Sequence, residues 1–96
     1  MKGDLENVEI LKNAVAGTME SSDAYVEIGP GNGGLDISLE SVVEKQFGEE
    51  IRGTIQSVLE EYDIKDANIR VVDRGALECV IRARVETAIL RGRGDE

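Results

Sequence analysis

Apolar and polar residues alternate most clearly in two stretches of the chain. In Ala24-Tyr25-Val26-Glu27-Ile28, residues 24, 26 and 28 fall on one side and residues 25 and 27 on the other. In Leu35-Asp36-Ile37-Ser38-Leu39-Glu40 the alternation has no break. Period 2 is the repeat of a strand with one covered face, so strands are predicted over 24–29 and over about 35–41, the latter burying Leu35, Ile37 and Leu39. A further strand is predicted over 13–20. The apolar runs Ala14 to Met19 and Ala24 to Ile28 are separated by Glu20-Ser21-Ser22-Asp23, and Ser and Asp side chains can satisfy turn backbone groups, as at a hairpin tip.

After Ser41 the period changes. Phe47, Ile51, Ile55, Val58, Leu59 and Tyr62 recur at helical spacing, which predicts a helix ending at Tyr62. Ser41 and Glu44 fit a capping box, and the helix start falls between Val42 and Gly48. Gly48 and Gly53 each weaken an isolated helix by about 1 kcal/mol relative to Ala, so packing has to hold this one.

The last third reads two ways. Ile69 to Val72 is rich in β-branched residues and predicts a strand over 68–73, after which Asp73-Arg74-Gly75 suits a three-residue hairpin loop with Gly in the left-handed position. Residues 76–90 favour a helix by propensity, yet on a helix Arg84 lands inside the apolar stripe of Leu77, Ile81 and Ala88. As a strand, Leu77, Cys79, Ile81, Ala83 and Val85 share a face and only Val80 breaks the alternation. Periodicity is weighted above propensity, giving a strand over 77–87, with a helix over 77–90 as the alternative. The element order is then β-β-β-α-β-β. It implies an α+β, two-layer domain: a mainly antiparallel sheet of about five strands covered by one main helix. Residues 1–12 read as a flexible leader, in which Met1-Lys2-Gly3-Asp4 is a frayed end and Leu5, Val8, Ile10 and Leu11 give only a weak mixed pattern. Residues 13–90 read as a single domain and residues 91–96 as a charged tail.

Composition narrows the function more by exclusion than by indication. Ninety-six residues suit one small domain with a single core. A net charge of −9 argues against nucleic acid and against anionic membrane surfaces, and leaves basic proteins as the natural counterpart. The apolar runs are far too short to span a membrane, and the first residues lack the basic and apolar regions of a secretory signal. With a single cysteine, Cys79, the expectation is a cytoplasmic protein. The chain has no His, so it lacks a histidine base, a Ser-His or Cys-His pair and a histidine-ligated metal; one Cys makes no thiolate cluster. Three aromatics, Tyr25, Phe47 and Tyr62, are too few for a stacking platform. Most self-contained enzyme mechanisms are therefore unsupported, and a non-catalytic chain is the expectation. Gly29, Gly31 and Gly34 satisfy G-x-G-x-x-G, but a dinucleotide site requires a helix next, and here an alternating strand follows.

One residue stands out by position. Ser21, at the tip between Glu20 and Asp23, is expected to be exposed and free of packing. Its residue type and setting leave two readings open: an ordinary turn serine, or a point to which something is attached. Ser22 is chemically equivalent to it on sequence alone. Cys79 reads as a small core residue, Arg82 and Arg84 as a solvated or interstrand-paired face with contact to a bound group's phosphates or a neighbouring subunit as the lesser reading, and Tyr25 as a surface residue.

Ala14-Val15-Ala16-Gly17-Thr18-Met19-Glu20-Ser21-Ser22-Asp23 closely resembles the opening motif of the citrate lyase acyl carrier proteins, the gamma subunits of that complex. The resemblance continues in Ser41-Val42-Val43-Glu44-Lys45-Gln46-Phe47-Gly48, Ile51-Arg52, Gly75-Ala76-Leu77-Glu78-Cys79 and Arg82-Ala83-Arg84-Val85-Glu86. The leader, the glycine-richer loop at 29–34 and the short tail depart from the pattern; none touches the serine motif. The resemblance implies a covalent cofactor, triphosphoribosyl dephospho-coenzyme A, joined by a phosphodiester to the first serine of Glu-Ser-Ser/Gly-Asp, which is Ser21 here. It implies that the arm's thiol carries acetyl and citryl thioesters between the transferase (alpha) and lyase (beta) subunits as citrate is cleaved to acetate and oxaloacetate. A holo-carrier synthase would attach the arm. Because Glu20 and Asp23 would repel the phosphodiester, basic groups are expected on the partners. The delta subunit of malonate decarboxylase, which uses the same arm, and an unmodified structural subunit are the alternatives.

Overall fold

In the computed structural model, which describes residues 9–95, the expected hairpin forms first. Strand β1 (Ala14–Gly17) pairs antiparallel with β2 (Ala24–Pro30), Ala14 opposite Ile28 and Gly17 opposite Tyr25. β1 is shorter than the 13–20 expected, because Gly17 takes a φ of 87° and leaves extended geometry. In β2, Ala24, Val26 and Ile28 are buried while Tyr25 and Glu27 are half-exposed, as the alternation required. The expectations for Met1 to Asp4, Leu5 and Val8 lie outside the described residues. Ile10 packs into the core, and the backbone N–H groups of Leu11 and Lys12 donate to the Gly92 carbonyl.

Strand β3 (Leu35–Ser41), helix α1 (Glu44–Glu61) and strand β4 (Ala67–Asp73) follow. β4 lies between β2 and β3, so the sheet order is β1-β2-β4-β3. β2 and β4 run antiparallel, whereas β3 and β4 run parallel, with Leu35 opposite Ala67 and Ser41 opposite Asp73. The sheet is therefore four-stranded and mixed, not a mainly antiparallel one of five strands. The reason is the connection. An 18-residue helix is about 27 Å long, enough to carry the chain back along a seven-residue strand, so a single helical crossover delivers the next strand parallel to the last.

α1 begins within the predicted window, but without the predicted capping box. The Ser41 hydroxyl accepts from the Val43 N–H and donates to Asp73, and the N-cap, Val43, makes no side-chain cap bond. Gly48, Ile51, Ile55, Val58 and Leu59 form the buried ridge; Phe47 sits one position off it and is exposed.

The expected strand over 77–87 is the second correction. Residues Glu78–Arg93 form a helix, α2, whose buried face is Ile81, Val85, Ala88, Ile89 and Gly92. Propensity prevailed because Arg84, the residue that made a helix look improbable, has a partner in the tertiary structure (below). α2 lies over β1 and β2 and α1 over β3, and the two helices pack against each other. The core lies between this helical layer and one face of the sheet, with Leu35, Ile37 and Leu39 of edge strand β3 only partly buried against it. Among the described residues, no helix is long and apolar enough to cross a membrane.

Candidate functional site at the Ser21 turn

The β1–β2 connection, residues 18–23, ends in a four-residue turn, 20–23, closed by the Asp23 N–H donating to the Glu20 carbonyl at 3.1 Å. The turn's third residue, Ser22, has a φ of 67°. A positive φ at that place, with none at Ser21, is the pattern of a type II turn, where glycine is the usual occupant. Residue type does not separate the two serines, but their backbone geometry differs. Ser22 is in left-handed geometry with its N–H bonded to the Arg74 carbonyl at 2.8 Å. Ser21 is exposed, and among the described residues its hydroxyl has no hydrogen-bond partner.

Asp23 fixes the turn to the body of the protein. Its carboxylate accepts from Arg84 Nε and Nη2 on α2, both at 2.9 Å, in a fork-to-fork pair. It also accepts from the Thr18 hydroxyl at 2.7 Å and from the Ala24 N–H at 2.7 Å, and Thr18 Oγ1 accepts in turn from the Glu20 N–H. The Arg84 bond first, and the Thr18 bond after it, hold the Asp23 carboxyl well below the usual carboxylate range. Asp23 is thus not a free anionic flank of Ser21, as the sequence suggested; its charge is answered within the chain. Gly17 makes the arrangement possible. A Cβ there would lie 1.9 Å from the Ala24 carbonyl oxygen and 3.0 Å from Arg84 Cδ, so the side chain of Arg84 reaches Asp23 across a position that must be bare.

A second clamp comes from the end of β4. The Arg74 N–H donates to the Asp23 carbonyl at 2.9 Å, and Arg74 Nη1 donates to the Met19 carbonyl at 3.0 Å. This segment is held by Asp73, which is 1% exposed and accepts from Ser41 Oγ and from the N–H groups of Gly75 and Ala76. Gly75 does take the left-handed geometry expected of it, at φ 93°, but in a strand-to-helix connection and not a hairpin loop.

Three kinds of relative share this architecture or its sequence. The family model of the malonate decarboxylase delta subunit (MdcD) matches residues 11–92. A citrate lyase acyl carrier protein of Latilactobacillus sakei is 48% identical over 93% of this chain and 88% of its own length. One of Serratia proteamaculans is 49% identical over 88% of this chain and 83% of its own. The chain belongs to this family of acyl carrier proteins. Its fold is also that of a chain in the crystal structure of a Pseudomonas malonate decarboxylase hetero-tetramer in complex with malonate, with a TM-score of 0.76 over 86% of both chains at 23% identity.

Within that family fold the remaining candidates take ordinary places. Cys79 is exposed on α2, not a core residue. Arg82 joins α2 to α1 through Glu61, and that bond raises its pKa. Tyr25 is half-buried and donates to Glu27 Oε2 at 3.1 Å. Among the described residues, no group of His, Cys, Asp and Glu could hold a metal ion. Sequence reasoning missed Thr18, Arg74 and Gly17 as parts of the site. The misplaced charge of Arg84 in an apolar stripe was the available signal.

Proposed function

We propose that this chain is the acyl carrier subunit of a citrate lyase and that Ser21 Oγ is the attachment point of a triphosphoribosyl dephospho-coenzyme A arm. The observation that carries the reading is the contrast within the turn. The Asp23 carboxylate and the Thr18 hydroxyl are committed to ordering the loop, while the Ser21 hydroxyl is exposed and uncommitted among the described residues. An attacking hydroxyl needs access and a defined position, and an anchored turn offers both. The residues present fit a phosphodiester-linked group: the hydroxyl is open to solvent, Asp23 is neutralised by Arg84, and a guanidinium, Arg74, stands beside the turn.

When bound, the arm supplies a thiol on which acyl groups travel as thioesters. The chain's own work is mechanical and electrostatic. Asp23, Arg84 and Thr18 hold the turn, Gly17 admits the Arg84 side chain, and Ser22 absorbs the left-handed geometry that lets Ser21 project. Tethering converts encounters with separate catalytic subunits into effectively intramolecular ones. The partners under this reading are the alpha (transferase) and beta (lyase) subunits and the synthase that loads the carrier. Under this reading the catalytic groups belong to those partners. The near-half identity to citrate lyase carriers favours citrate over malonate as the complex's substrate.

The test is intact mass with peptide mapping after co-production with the arm-attaching enzyme. A gain equal to the arm, localised to Ser21 and absent in Ser21→Ala, is expected. No gain, with the enzyme active on a known carrier, overturns the proposal. Reconstitution of the loaded chain with citrate lyase or malonate decarboxylase catalytic subunits then decides the substrate.

A further inference from the structure

We propose that Arg74 is the residue that binds the phosphodiester at Ser21 in the loaded carrier. The inference rests on the attachment reading above and adds to it the ligand of one specific side chain.

Three observations lead there. First, Arg74 is placed on both sides of Ser21: its backbone is hydrogen-bonded to Ser22 and Asp23, and its Nη1 to the Met19 carbonyl. Its side chain therefore runs across the turn that contains Ser21. Second, its charge is unspent. Of the two guanidiniums at the turn, Arg84 is taken by Asp23, whereas Arg74 is exposed and among the described residues has no carboxylate within ion-pair distance. In a chain of net charge −9 with 20 acidic residues, a guanidinium at the turn without an ion pair is open to an anionic ligand. Third, it has donors to spare. A guanidinium carries five N–H groups in a planar fork that matches phosphate oxygens, and Arg74 uses Nη1 on one neutral carbonyl.

Electrostatics gives the binding a purpose. Before loading, Asp23 is paired with Arg84, whereas Glu20 and Arg74 make no ion pair with each other. Loading adds a monoanionic phosphodiester beside Glu20. With Arg84 engaged by Asp23, Arg74 is the cation available at the turn to offset it. The arm's first link is then held against the protein and the rest left free to reach a partner. The basic surface expected on the catalytic subunits has a counterpart within the carrier itself.

The experiment uses the full chain labelled with 15N, unloaded and loaded by the arm-attaching enzyme. Mass spectrometry first establishes whether Ser21 carries the arm, so failure of the carrier reading is seen separately and removes this inference with it. On loaded protein, the Arg74 Nε–H resonance is expected to move downfield and exchange more slowly with water than in unloaded protein, while that of Arg52 on α1 is unchanged. The 31P resonance of the phosphodiester is expected to shift in Arg74→Gln, with Arg74→Lys between Gln and the native residue. Identical Arg74 resonances before and after loading, or a 31P resonance indifferent to Arg74→Gln, overturns the assignment. Should Arg74→Gln not fold, the comparison of loaded with unloaded native chain decides it unaided.

Discussion

Replacing Arg84 with Met tests the account of the turn most directly. The substitution keeps a long side chain over Gly17 and leaves the Asp23 carboxylate with the Thr18 hydroxyl and the Ala24 N–H alone. Breaking a buried ion pair on one side costs about 3–5 kcal/mol, and an exposed pair is worth about 0.2–1 kcal/mol. Here Asp23 is 15% and Arg84 39% exposed, and two charge-assisted bonds are lost, which places the expected loss at about 2 kcal/mol. For a domain of this size that lowers Tm by about 10 °C.

The loss should also depend on pH with a definite sign. A carboxyl whose folded pKa is depressed stabilises the protein above its unfolded value, 3.8 here, and loses that contribution as pH falls towards the folded value. Without Arg84 the carboxyl returns towards its ordinary range. The gap between native and variant proteins should therefore be full at about pH 7 and close progressively below about pH 4. Urea unfolding followed by far-UV circular dichroism, run on both proteins from about pH 7 to about pH 3, measures it. A gap below about 0.5 kcal/mol at neutral pH, or one that stays constant down to about pH 3, refutes the reasoning.

Gly17→Ala places a Cβ against the Ala24 carbonyl at a positive φ, and a loss of about 2–3 kcal/mol is expected in urea unfolding. Ser22→Gly, which suits a φ of 67°, should leave stability within about 0.5 kcal/mol, whereas Ser22→Val should lose more than about 1 kcal/mol on the same measurement. Asp73→Ala strips the acceptor from Ser41 Oγ and from the Gly75 and Ala76 N–H groups, and about 3 kcal/mol should be lost in thermal unfolding; Asp73→Asn, which retains an acceptor, should lose less.

What the sequence could disclose followed from local pattern. The faultless alternation of residues 35–40 and the face shared by Ala24, Val26 and Ile28 are short-range signals, and both strands lie where those signals placed them. The α1 ridge was legible for the same reason, apart from Phe47, whose apolar character hid that it lies one step off the buried face. The misread helix α2 failed on a long-range fact. Arg84 counted against a helix because a charge had no business among Leu77, Ile81 and Ala88, but its partner Asp23 is 61 residues away, beyond any local window. The parallel β3–β4 pairing was recoverable in principle from the single helix between them; the hairpin read at Asp73-Arg74-Gly75 drew attention to antiparallel geometry instead. Ser21 was singled out from Ser22 only by the motif it resembles; the left-handed backbone angle at Ser22 is a further difference that residue type does not state.

The double clamp on the turn, from Arg84 on one side and the Arg74 segment on the other, has a geometric consequence for any complex that uses this chain. A group attached at Ser21 swings from a post, not from a stalk. The volume it can sweep is a sphere of the arm's own radius, less the part filled by the carrier's body, and the centre of that sphere is a point fixed in the carrier's frame. Two catalytic sites served by one such group must both cut that sphere, each opening towards the same centre. Choosing between them is then left to how those sites are arranged around the post.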